Sequence, residues 1–284
     1  MRGLFSLLFL LTAPTNECLA IPRRPASHPV RNIHGSYSVS YMGPRINGPP
    51  YETYNVFLND ISSPQLFHSM RLGYQMDRDL QIGFGGDASQ NLVDGVTGWS
   101  GTTYTRSVTW YDPYLYLQFP GLFSVPGWSI FNIASMSLPV GQVSIDAGKI
   151  TSLTFQQSWS KSGIAPWRFS FQIFLNPQLY SDPLPSGFTD RQTFYAAMGP
   201  GFGLELTPEF VFGMQTNLTV EHRSPSQKGW TSLQEAIPDT LKTSLTWFPR
   251  MSPMYASIGA YLQSVLWSPS YDTSIVGANL SLGF

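Results

Sequence analysis

From residue 36 to the end, apolar and polar residues alternate in runs of about ten. Trp167, Phe169, Phe171, Ile173 and Leu175 share one face. Arg168, Ser170, Gln172 and Asn176 share the other, with Phe174 as an exception. Phe210, Phe212, Met214, Leu218 and Val220 oppose Gly213, Gln215, Asn217, Thr219 and Glu221. Leu241, Leu245 and Trp247 oppose Lys242, Ser244 and Thr246. Ala256, Ile258, Ala260 and Leu262 oppose Ser257, Gly259, Tyr261 and Gln263. Shorter runs at 37–41, 80–85, 114–119, 134–138 and 151–156 behave alike. Successive side chains of a strand point to opposite sides, so these runs predict two-faced β-strands. No helical period extends beyond about two turns.

The polar face decides which all-β architecture is expected. The water-facing side of a soluble sandwich is usually rich in Lys, Glu and Arg. Here that face carries mainly Gly, Ser, Thr, Asn and Gln, and only 12% of the 284 residues are charged. Aromatics reach 14%, and Trp159, Trp167, Trp247, Trp267 and Phe284 fall near run ends, as in interfacial girdles. About ten residues suffice to cross a bilayer as a tilted strand. The expectation is a single antiparallel up-and-down transmembrane β-barrel over 36–284, with about 12 strands and 10 or 14 as alternatives.

The amino terminus adds a compartment. Met1–Ala20 has Arg2, an apolar Leu4–Leu11 and the small residues Cys18 and Ala20, so it reads as a signal peptide. Residues 21–35, with Arg23, Arg24 and Arg31, are expected to form a periplasmic segment or a plug. The sole cysteine lies in the signal, so neither disulfides nor a thiolate metal site is expected. A net charge of −1 argues against nucleic acid as a partner.

The final residues carry a resemblance. Val276, Ala278, Leu280, Leu282 and the terminal Phe284 alternate on one face. This resembles the C-terminal signal of Gram-negative outer-membrane β-barrels, although Asn279 stands where the family often has glycine. The resemblance implies an outer-membrane location, a lipid surround, and reading of Leu280, Leu282 and Phe284 by the barrel-assembly machinery. With the C-terminus on the periplasmic side, the turns 207–209 and 249–253 become periplasmic. The segments 177–191, 223–238 and 264–271 become extracellular loops.

Candidate chemistry is sparse. The histidines His28, His34, His68 and His222 make no metal spacing, and no cofactor is implied. Barrel phospholipases carry a local His-Asp-Ser-Asn-Gly run that is absent here. His222 beside Glu221 at a strand end offers a rim base for a hydrolase, and His68 reads as a lumen or interface residue. Arg168, Glu205, Glu221 and Lys242 fall on the polar face and are expected to line the lumen, because a charge facing lipid costs about 2–4 kcal/mol at mid-bilayer. The leading expectation is a non-enzymatic, porin-like barrel passing small solutes. The alternatives are a binding barrel acting through its loops, or a barrel hydrolase.

Overall fold

A computed structural model describes residues 33–43, 64–77, 80–92, 94, 96–97, 103–104, 106–121, 125–164, 166–181, 191–224, 231–232, 240–249, 255–265 and 275–283. The expected signal peptide, most of the 21–35 segment, Trp267 and Phe284 lie outside the described residues.

Twelve strands form the wall. They are β1 (Ile33–Gly43), β2 (Gln65–Asp77), β3 (Leu80–Asn91), β4 (Tyr114–Pro120), β5 (Ser129–Ser137) and β6 (Lys149–Ile164). There follow β7 (Trp167–Tyr180), β8 (Arg191–Glu205), β9 (Phe210–Ser224), β10 (Thr240–Trp247), β11 (Tyr255–Val265) and β12 (Ile275–Gly283). Each pairs antiparallel with its chain neighbours, and β12 pairs with β1 from Ser36↔Gly283 to Gly43↔Val276, so the sheet closes. Closure removes the edges and satisfies the backbone without water, which is the condition for crossing a bilayer with strands. Among the described residues no helix is long and apolar enough to span.

The expected barrel of about 12 strands is therefore observed, with small differences in its borders. β1 starts at Ile33, so residues 33–35 belong to the wall. β7 runs to Tyr180 and β9 to Ser224, so 177–180 and 223–224 are wall residues and not loop. Val108–Trp110 continues the line of β4 against the outer part of β3, with Tyr111, Asp112 and Pro113 between. Pro113 has no N–H to donate, which suits a break in a ladder. Thr231–Ser232 adds a short extra strand beside β9. One short helix, α1 (Gln142–Asp146), sits between β5 and β6.

Connections alternate in length. Those after β2, β4, β6, β8 and β10 are short and share one end of the barrel, called the turn end below. Those after β1, β3, β5, β7, β9 and β11 are longer and share the other, the loop end. This settles the direction of the strands between 86 and 166, where alternation alone leaves parity open.

Residues opposed across a ladder share a face, so register assigns inside and outside. Met70, Leu72, Tyr74, Met76, Ile82, Phe84, Leu115 and Leu117 are exposed on one side. The same side carries Met198, Met214, Leu245 and Ile258 on the far wall. A continuous exposed apolar wall is the lipid-facing surface of a membrane barrel. At the turn end it finishes in aromatics. Trp167 and Phe169 pack on Phe202 with centroids at 5.1 and 5.7 Å, and Phe210 stacks on Trp247 at 6.3 Å.

Candidate functional site

The lumen face is the candidate site. β7, β8 and β9 aim Arg168, Glu205, Glu221 and Lys242's neighbour Gln215 inward by strand parity, and β10 aims Lys242 inward. All four residues expected to line the lumen thus lie on its face, in different settings.

Arg168 and Glu205 form an ion pair at the turn end, with side chains 32% and 34% exposed. Water reaches this pair, and its charges cancel.

Glu221 is fully buried near the loop end. One carboxylate oxygen accepts from Arg223 Nε at 2.9 Å, and the other accepts from Gln192 Nε2 at 2.8 Å. A chain of amides extends from it around the wall. Gln178 Nε2 donates to Gln192 Oε1 at 2.9 Å and to Asn176 Oδ1 at 3.1 Å. Asn176 Nδ2 donates to Thr154 Oγ1 at 2.9 Å, and Tyr180 OH donates to Gln178 Oε1 at 2.8 Å. Buried polar groups cost little only when paired, and this chain pairs side chains from β6 to β9. Gln178 and Gln192 are buried with Glu221, as are Gln65 on β2 and Gln263 on β11. The described lumen face is therefore buried near the loop end, and its ion pair at the turn end is partly exposed.

Lys242 lies over the Tyr261 ring, 4.2 Å from its centroid. The Tyr261 ring in turn lies on Gly277 of β12, where a Cβ would fall inside van der Waals contact with it.

Alternation also carried an inward cluster that the sequence reading passed over. Arg71, Gly73 and Gln75 oppose Met70, Leu72, Tyr74 and Met76, so Arg71 faces the lumen. Its Nε donates to Tyr114 OH at 3.0 Å, and Asp87 on β3 faces it while accepting from Ser69. Tyr114 lies against Gly85, and Gln81 Nε2 donates to Tyr116 OH at 2.9 Å. The period-two pattern over 70–76 was the signal that could have found Arg71.

At the loop-end rim, Asp112 ties two segments together. It accepts from Gly141 N at 2.9 Å and from Ser144 Oγ, and Lys149 Nζ lies 3.4 Å away.

Among the described residues, His222 does not form the expected group with Glu221. Phe194↔His222 and Tyr195↔Glu221 are adjacent pairs on opposite faces, so His222 points outward and Glu221 inward. His222 Nδ1 lies 2.6 Å from Thr193 Oγ1. The dyad of His222 with Glu221 is thus corrected: neighbours in a strand cannot orient one another across the wall. His68 also points outward rather than into the lumen, with Nδ1 2.8 Å from Tyr37 OH. Among the described residues, no three of His, Cys, Asp and Glu come together as metal ligands.

One polar chain lies on the lipid side. Trp159 Nε1 donates to Gln157 Oε1 at 3.0 Å, and Gln157 Nε2 donates to Asn132 Oδ1 at 3.0 Å. Asn132 Nδ2 closes the chain on the Pro120 carbonyl at 2.8 Å. Each amide in the chain both donates and accepts within it, which lowers the cost of placing amides on an apolar face.

No protein-family model and no curated protein matches the chain. Among solved structures it is similar to an outer-membrane channel from Pseudomonas putida F1, at 11% identity and a TM-score of 0.60. That alignment covers 92% of this chain and 99% of the other. The fold is that of a bacterial outer-membrane β-barrel. With its exposed apolar wall and aromatic margin, this fold belongs in an outer membrane. Looser matches include outer-membrane phospholipase A from Escherichia coli, at 8% identity over 88% of this chain and 92% of that one, with a TM-score of 0.37. The toluene transporter TodX from Pseudomonas putida matches at 8% identity over 90% and 89%, with a TM-score of 0.38. Overlaps this loose do not bear on activity.

Proposed function

We propose that this barrel is a non-enzymatic channel giving small solutes passive passage across the outer membrane. The observation that carries the reading is the contrast of faces. The exterior is apolar, while the interior is built of hydroxyls, amides and charges, with the Arg168–Glu205 pair partly exposed at the turn end. A lining of this kind replaces a solute's water while it crosses. The name of the similar Pseudomonas putida F1 structure, a channel, agrees with it. Loss of the His222–Glu221 dyad weighs against the hydrolase alternative.

In this reading the turn end faces the periplasm, and Leu280 and Leu282, both on the lipid side, serve assembly together with Phe284. Arg168, Glu205, Glu221 and Lys242 set which solutes pass. Single-channel conductance of the refolded chain in a planar bilayer tests this. Discrete openings, with altered ion preference in Lys242→Gln, are expected. A folded protein that stays silent at all voltages overturns the reading.

A further inference from the structure

We propose that the lipid-facing margin of β5 and β6 at the turn end holds a site for the phosphate of an anionic phospholipid, centred on Lys161. The site needs only the membrane barrel described above and does not rest on the channel reading.

Lys161 lies on the outer face. It stands two residues after Trp159 on β6, and its register partner on β7 is Phe169, which is 41% exposed in the aromatic margin. A sharp turn brings an indole to it from the neighbouring hairpin. Val125–Trp128 is a type II turn: Pro126 takes the second position, Gly127 takes the third at a φ of 78°, and Trp128 N donates to the Val125 carbonyl at 3.0 Å. A Cβ at Gly127 would stand 3.9 Å from Lys161 Cε, so the lysine stem crosses this turn in ordinary contact. Its ammonium then lies over the Trp128 ring, 5.8 Å from the centroid. Trp159 meets Trp128 edge-on at 6.4 Å, and the amide chain through Gln157 to buried Asn132 ties Trp159 to the wall.

What the arrangement lacks is an anion. Among the described residues no carboxylate pairs with Lys161. Glu205, at the same end, is on the lumen face and engaged with Arg168, and Glu209 belongs to the β8–β9 turn on the far side of β7. The Trp128 ring eases removal of the ammonium from water but leaves its charge uncancelled. A lysine on a lipid-facing wall carries its head toward the interface, where headgroup phosphates lie. In phosphatidylcholine the headgroup's own ammonium already balances the phosphate. In phosphatidylglycerol it does not, so that phosphate is the better partner for a fixed ammonium. With the turn end on the periplasmic side, the lipid belongs to the periplasmic leaflet.

The test uses the full chain folded in detergent, with folding checked by the heat-dependent gel shift. Dioleoyl phosphatidylglycerol and dioleoyl phosphatidylcholine are added in equal amounts, and native mass spectrometry counts the lipid retained. Wild type is expected to favour phosphatidylglycerol by about fivefold, the factor that one basic residue gives near an anionic surface. Lys161→Gln should lose that preference, Lys161→Arg should keep it, and Trp128→Leu should lower it about twofold. Trp128→Leu carries the test if Lys161→Gln does not fold. Equal retention of the two lipids by wild type overturns the site, as does an undiminished preference in Lys161→Gln or, in its place, Trp128→Leu. Conductance plays no part in this readout, so a barrel that selects phosphatidylglycerol through Lys161 yet conducts nothing overturns the channel reading alone.

Discussion

Gly85 and Gly86 are neighbours on β3 and face opposite ways, which makes them a matched pair for measuring how tightly the lumen wall is built. A methyl group at Gly86 meets nothing within 4 Å. A methyl group at Gly85 would stand 2.5 Å from Cε2 and Oη of Tyr114. Ordinary carbon contacts are about 3.5–4.0 Å, so the ring has to recede by about 1 Å. Its hydroxyl accepts from Arg71 at 3.0 Å, and a shift of that size carries it out of hydrogen-bond range. Overpacking costs about 1–3 kcal/mol. A lost bond to a charged donor costs about 1.5–3 kcal/mol. These are alternatives as much as addends, because the ring gives up the bond to relieve the clash. Alanine in a strand recovers roughly 0.5 kcal/mol over glycine. We therefore expect Gly85→Ala to lose about 2 kcal/mol, and Gly86→Ala to gain about 0.5 kcal/mol. Urea unfolding in phosphatidylcholine vesicles, followed by tryptophan fluorescence, reads both. In a Tyr114→Ala background the Gly85→Ala penalty should vanish. If the two alanine variants agree within about 0.5 kcal/mol, or the penalty survives without Tyr114, the seated-ring explanation is wrong.

Replacing Glu221 with leucine removes the buried carboxylate that accepts from Arg223 and Gln192; the unfolding free energy in urea should fall by about 3 kcal/mol, with Glu221→Gln intermediate, and a neutral Glu221→Leu refutes the buried pairing. Gln178→Leu removes partners from Asn176, Gln192 and Tyr180 at once and should cost about 2 kcal/mol by the same assay, whereas no loss would show that the amide chain is dispensable. Asp112→Ala should release the Gly141 and Ser144 contacts, and an added protease should then cut within 138–148 about fivefold faster; an unchanged cleavage rate would contradict a clasp at the rim.

Much of this barrel can be read by counting in twos. Leu204 and Glu205, or Leu241 and Lys242, go to the faces their parity demands, because one buried face fixes register throughout. The same parity puts His222 outside and Glu221 inside, so proximity in sequence misleads there while alternation does not. Phe174 breaks the polar face in sequence, and in space it makes an edge contact with inward Tyr195 at 5.9 Å. What could not be read depends on partners far along the chain. Asn132 and Gln157 occupy outward positions, and nothing local announces that each will satisfy the other across 25 residues. The buried hydroxyl of Thr240, which has no hydrogen-bond partner among the described residues, is equally silent in sequence, since Thr246 on the same face looks alike.

The closing ladder between β1 and β12 joins residues 36–43 to 276–283, the two ends of the described chain. Such a contact has nearly the largest separation the polypeptide offers, and contacts of this kind form late and slowly. Until the last strand arrives, β1 and β11 are bare edges of an apolar sheet, primed to pair with any other chain. Folding of this barrel is thus a race between one intramolecular closure and many intermolecular ones. Dilution should favour the native product more than any gain in strand stability.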